Sequence, residues 1–257
     1  MTKSQNPVVL TQASIEAGSE EVVDANVHVV NAMYGKLLDA GEIAPAALGS
    51  YYVDFYVTQS LEGGFAQYVF TADRDEVDPL IREGLAGMGA TAHLELFNRT
   101  VAVFDALSEE DEERYLDGDL DTEEESNDAV RTIEELDGEF EELFETENIT
   151  ALNAAWLLRQ EGLLVLDEDE LEAYIERQVA LIPNLEERQA AADEEALEDA
   201  RTSRSSSVNC AASPATRSRR SPWATPTTCM TARRRWPGTS PRTTATSSWW
   251  RTTKRRS

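Results

Sequence analysis

From residue 21 onward the apolar positions recur every three or four residues, the spacing of one buried helical face. Over 21–38, Val22, Val23, Val27, Val30, Met33, Leu37 and Leu38 make such a stripe, and Gly41 closes it. A second helix is expected from Pro45, whose missing N–H costs nothing in a first turn, through Leu48, Tyr52, Phe55 and Tyr56 to Gly63. Asp78-Pro79 opens a short helix carrying Leu80, Ile81 and Leu85, interrupted by Gly87 and Gly89. The run ATAHLELFNRTVAVFDAL repeats Leu94, Phe97, Val101 and Phe104. Further helices are expected over 128–144, 149–158 and 168–181, the last ending before Pro183, and a polar, Ala-rich helix is allowed over 184–200. Leu163 to Leu166 is the best short strand candidate. The pattern predicts an all-α or mostly α fold: a flexible N-terminus over 1–20, a compact multi-helix domain over 21–200, and a disordered C-terminal tail over 201–257.

The stretch LEGGFAQYVF, residues 61–70, interrupts this regularity with two adjacent glycines. A phosphate-binding loop would need further glycines and usually a lysine, whereas the flanking charge here is Glu62. A hairpin turn fits Gly-Gly, but the preceding residues have helical spacing, so a glycine stop followed by a new short helix fits better. Phe65 and Tyr68, three apart, can share one helical face, and Gln67 has both a donor and an acceptor for free backbone groups at the turn. The expected role of Glu62, Gly63, Gly64, Phe65, Gln67 and Tyr68 is structural, a packed helix junction.

The same residues, Glu62-Gly63-Gly64-Phe65-Ala66-Gln67-Tyr68, resemble the Asn-Gly-Gly-Phe-x-Gln-Tyr signature of the DNA mimic protein 19-like family, a bacterial domain of largely unknown function. The preceding YYVDFYVTQS and the following LAGMGATAHLELFNRTVAVF resemble that family as well, so the likeness is strongest over 45–107. Glu62 stands where the family usually has Asn, and no Asn is evident after Phe70. The resemblance implies a mainly helical fold. For the mimic that gives the family its name, it also implies a homodimer whose carboxylates imitate DNA phosphates in a transcription factor's DNA site.

Charge sharpens the picture. The chain of 257 residues has a net charge of −26, yet residues 1–200 hold all 49 acidic and 10 of the 23 basic residues, a balance of −39. Between Asp105 and Glu147, 21 of 43 residues are acidic, opposed only by Arg114 and Arg131. Such a band must be solvated, screened or matched to a basic partner. B-DNA carries about one negative charge per 1.7 Å of axis, and exposed carboxylates can occupy the same Lys/Arg pockets. The residues expected to meet a partner are Glu109, Glu110, Asp111, Glu112, Glu113, Asp117, Asp119, Asp121, Glu123, Glu124 and Glu125. Asp117, Asp119 and Asp121 open like a calcium loop, but Thr122 and Asp128 replace the Gly and Glu such a loop needs, so no metal and no cofactor is expected.

Residues 201–257 reverse every trend, with 13 basic residues, no acidic one, four of the five Trp and both Cys. A basic arm, a disordered linker and an out-of-frame reading all account for them. The genetic code favours the last: one shifted frame turns Met230-Thr231 into a stop. The other gives Asp there, Gly at Trp223-Ala224 and Val at Trp249-Trp250, and it extends the acidic character of the domain.

Catalysis has little support. His28 and His93, the two histidines, sit in helical patterns and read as structural, the main domain has no Cys, and no Ser-centred elbow is present. No run is long and apolar enough for a membrane span and no secretory signal opens the chain, so a cytoplasmic location is expected. The sequence thus points to a non-enzymatic acidic protein whose partner is a basic DNA-binding protein such as a transcription factor, with neither nucleic acid nor membrane bound directly. A structural or small-ligand role and an unrecognised hydrolase are the alternatives.

Overall fold

The structure is a computed structural model that describes residues 6–116, 128–194 and 196–197. It is mostly α. In chain order the elements are β1 (Val9–Thr11), α1 (Gln12–Ala17), α2 (Ser19–Gly35), a 3-10 turn (Ala40–Glu42), α3 (Pro45–Thr71), α4 (Arg74–Met88), α5 (Thr91–Phe104), α6 (Glu109–Leu116), α7 (Asp128–Thr146), α8 (Ile149–Leu158), β2 (Leu164–Leu166) and α9 (Glu168–Val179). Residues 185–194 are helical too. The expected tail over 201–257 lies outside the described residues, as do Asp117, Asp119, Asp121, Glu123, Glu124 and Glu125.

The centre is α3. A helix apolar on all sides must be surrounded, and Leu48, Tyr51, Tyr52, Val53, Phe55, Tyr56 and Val57 are all buried. Its neighbours include α2, α4, α6, α7 and α8. The α3–α4 crossing is tight because Gly49 faces Gly84; a Cβ on Gly84 would lie 2.6 Å from the Gly49 carbonyl oxygen. Trp156 of α8 lies over this crossing, and a Cβ on Gly87 would sit 2.5 Å from its ring.

Three expectations change. Residues 1–20 were read as flexible, yet Val8, Val9 and Leu10 are core residues. β1 pairs in parallel with β2, Val9 opposite Leu164 and Thr11 opposite Leu166. A three-residue strand is too short for a period to reveal it, and the ladder joins segments far apart in the chain. The helix expected from Asp78-Pro79 starts earlier, at Arg74, and holds Pro79 in its interior. Gly87 does not interrupt it, because Trp156 packs against the bare backbone there; the helix ends at Gly89, whose φ of 81° is left-handed. Finally, α6 over Glu109–Leu116 forms within the band that was read for its charge alone.

Candidate functional site

α7 is built from the sequence DAVRTIEELDGEFEELFET. Its apolar residues Val130, Ile133, Leu136 and Phe140 fall on one face and are buried. The opposite face is therefore acidic, and Glu134, Glu135, Glu139, Glu141, Glu142 and Glu145 are exposed. At a rise of about 1.5 Å per residue, residues 134–145 span about 17 Å of helix axis. The mean separation is about 3 Å of axis per carboxylate, close to the 3.4 Å per phosphate of one DNA strand. Among the described residues, Arg99 of α5 pairs with Glu139 through both terminal guanidinium nitrogens, and Arg131 pairs with Asp128.

α6 extends the acidic surface. Ser108 caps it, accepting from the Asp111 N–H at 3.2 Å while its hydroxyl donates to Asp111 Oδ2 at 2.9 Å. Glu109, Glu110 and Glu113 are exposed, while Asp111 and Glu112 are half-buried. Of the residues expected to meet a partner, the described ones therefore divide between an exposed set and a partly structural pair. The α7 carboxylates were not among those named from sequence. The signal that finds them is the three-to-four residue spacing of Val130, Ile133, Leu136 and Phe140, which sends the intervening glutamates outward.

One acidic residue of α7 faces inward. Asp137 is half-buried and accepts a hydrogen bond from the Phe65 N–H at 2.9 Å. Burial pushes its carboxyl up to about 6; the Phe65 hydrogen bond opposes this rise, and Glu141 and Glu134 add to it. Phe65 follows the diglycine break of α3, where Gly63 (φ −162°, ψ 33°) and Gly64 (φ 66°, ψ −167°) leave helical geometry. The Gly64 conformation is one that only glycine adopts readily. Tyr115 of α6 lies close by, its ring centroid 6.0 Å from that of Phe104, and burial, with Asp137 and Glu134 nearby, pushes its phenol pKa up.

Beyond the break the motif packs. Phe65 and Tyr68 are fully buried, with ring centroids 5.5 Å apart, and Tyr56 links Tyr68 to Phe97 and Phe140 at 5.3, 4.9 and 5.6 Å. The Tyr68 hydroxyl donates to Asp78, a buried carboxylate held by Arg74 at 3.2 Å and Arg82 at 3.6 Å. Arg74 also reaches Asp105 at 2.8 Å and stacks over Phe104. The Asp78 carboxylate and the Arg74 guanidinium are thus paired with opposite charges, as burial demands. Glu62 is exposed. Gln67 does not serve backbone groups at the turn; its amide donates to Gln59 at 3.3 Å, and its chain packs on Gly63.

Of the histidines, His28 is exposed with Nδ1 2.8 Å from the Asp24 carbonyl, and His93 is buried against the edge of Phe140. Burial lowers the His93 pKa against the opposing pull of Glu147. Among the described residues no group of three or more His, Cys, Asp or Glu is placed to hold a metal ion. No described helix is long and apolar enough to cross a membrane.

Residues 41–161 match the family of DMP19-like proteins. The matched region runs from the 3-10 turn through α8 and contains the break, α6 and α7. No curated protein and no solved structure matches the chain.

Proposed function

From the premise that residues 41–161 are DMP19-like, we propose that this chain is a non-enzymatic DNA mimic, whose acidic face on α6 and α7 occupies the DNA-binding surface of a basic protein such as a transcription factor. The observation that carries the reading is the segregation of α7: its apolar face is committed to the core, and its other face offers six exposed glutamates at nearly the axial density of one DNA strand. Binding would be driven by release of the ions condensed around the partner's basic site and the acidic face. Affinity would then fall steeply with salt, as protein–DNA affinity does. Exposed glutamates suit this role because, apart from Glu139 with its surface partner Arg99, they can pair with Lys or Arg without first being pulled from another cation among the described residues.

The test is capture from a bacterial lysate on the immobilised full chain. The expected result is retention of DNA-binding proteins at low salt, with release by added salt and by duplex DNA. Retention of nothing basic at low salt, or retention that duplex DNA fails to displace, contradicts the reading.

A further inference from the structure

We propose that the diglycine break of α3 anchors the acidic surface, with Asp137 acting as the positioning residue that holds α7 in fixed register on the core. The inference rests on the reading of that surface as the partner-binding face. A helix that restarts after a break has free backbone N–H groups, normally met by a side chain at the cap position. Here the residue before Phe65 is Gly64, which has no side chain to offer. The Phe65 N–H is met instead by Asp137 from α7. A Cβ on Gly64 would lie 2.5 Å from Asp137 Oδ2, so the carboxylate fills the place a capping side chain would take.

The arrangement explains why a helix rich in mutually repelling carboxylates settles where it does: α7 lends one polar group to the break. The groups facing Asp137 are Glu134 and Glu141 of its own helix, Tyr115 of α6, and Tyr56 with the Phe65 N–H from α3. All the titratable ones are acids, so the carboxylate is held by a backbone dipole in place of a cation. A protonated carboxyl, or an amide, keeps an oxygen that can accept from Phe65, whereas a methyl group does not.

The test is amide NMR and hydrogen exchange on the full chain, comparing the native protein with Asp137→Asn and Asp137→Ala. In the native protein the Phe65 amide shift should titrate with a midpoint near that of Asp137, about 6. The titration should vanish in Asp137→Asn. Protection of the Phe65 amide should fall about tenfold or more in Asp137→Ala and stay within about threefold of native in Asp137→Asn, the usual weight of one such bond. Protection across α7 should follow the same order. A Phe65 shift indifferent to pH, or an Asn variant as unprotected as the Ala variant, overturns the proposal. If the Ala variant does not fold, the native titration and the Asn variant decide it. None of these readouts involves a partner, so the anchor can fail while mimicry stands, and the reverse.

Discussion

At the residue scale, Gly64 is the most constrained position. Its φ of 66° with ψ of −167° lies in a region open almost only to glycine, and a Cβ there would collide with Asp137. Gly64→Ala is expected to cost about 2 kcal/mol or more, strain and clash together, measured by urea unfolding. The buried titratable groups give a pH signature of two signs. Partial burial raises Asp54, half-buried on α3 with Asp24 nearby, to about 7, and Asp137 to about 6. In the folded state both bind protons that the unfolded chain has released, so their contribution favours folding at low pH and declines as pH rises from about 4 through those values. His93 acts oppositely: with its folded pKa lowered, its contribution is present above the unfolded value of 6.5 and is lost as pH falls through the folded one. Asp54→Asn should therefore raise the urea midpoint relative to native more at pH 7.5 than at pH 5. His93→Gln should instead flatten the acid side of the profile. The motif's glycines and aromatics were legible in the sequence as a packed junction. Asp137 was not, because nothing local marks one carboxylate among 21 as the inward one; only its contact with a residue 72 positions away does.

At the element scale, the helices were legible wherever an apolar face repeats, as in α2, α5, α7 and α8. α3 was read as one stripe, but its first half is buried almost all round, since periodicity records where apolar residues fall and not how many neighbours surround them. Pro79 misled the start of α4: the first-turn preference for proline competes with interior tolerance when other contacts outweigh a lost hydrogen bond, here the tight Gly49–Gly84 crossing and the Asp78 ion pairs. β1 was missed because a three-residue strand exists through its partner. That correction is testable at Leu10, which is fully buried. Leu10→Ala is expected to lower stability by about 2–5 kcal/mol, as for other core leucines, measured by chemical denaturation. A flexible N-terminus would give a change near zero.

At the scale of the whole molecule, charge and fold are arranged together. The domain concentrates its negative charge on helices whose other faces close the core, so the acidic surface comes with folding at no loss of buried apolar area. Charge of one sign at this density opposes compactness and is relieved by salt. The urea midpoint should accordingly rise between low salt and about 0.5 M NaCl, where the Debye length is well under 10 Å. Partner binding should weaken over the same range, since each neutralised contact steepens the salt dependence. Opposite responses of folding and binding to one variable would be a distinctive signature of an acidic face built for a basic partner.

The central claim is that the exposed carboxylates of α7 stand in for DNA phosphates. It is tested most directly by repeating the lysate capture with Glu134, Glu135, Glu141, Glu142 and Glu145 all changed to Gln, residues exposed and outside the core. These changes keep size and helix propensity while removing charge, and retained helical circular dichroism confirms the fold. The account predicts that the native chain retains DNA-binding proteins that duplex DNA displaces, and that the neutralised chain loses them. Equal retention by the neutralised chain, with the same displacement by DNA, would contradict it.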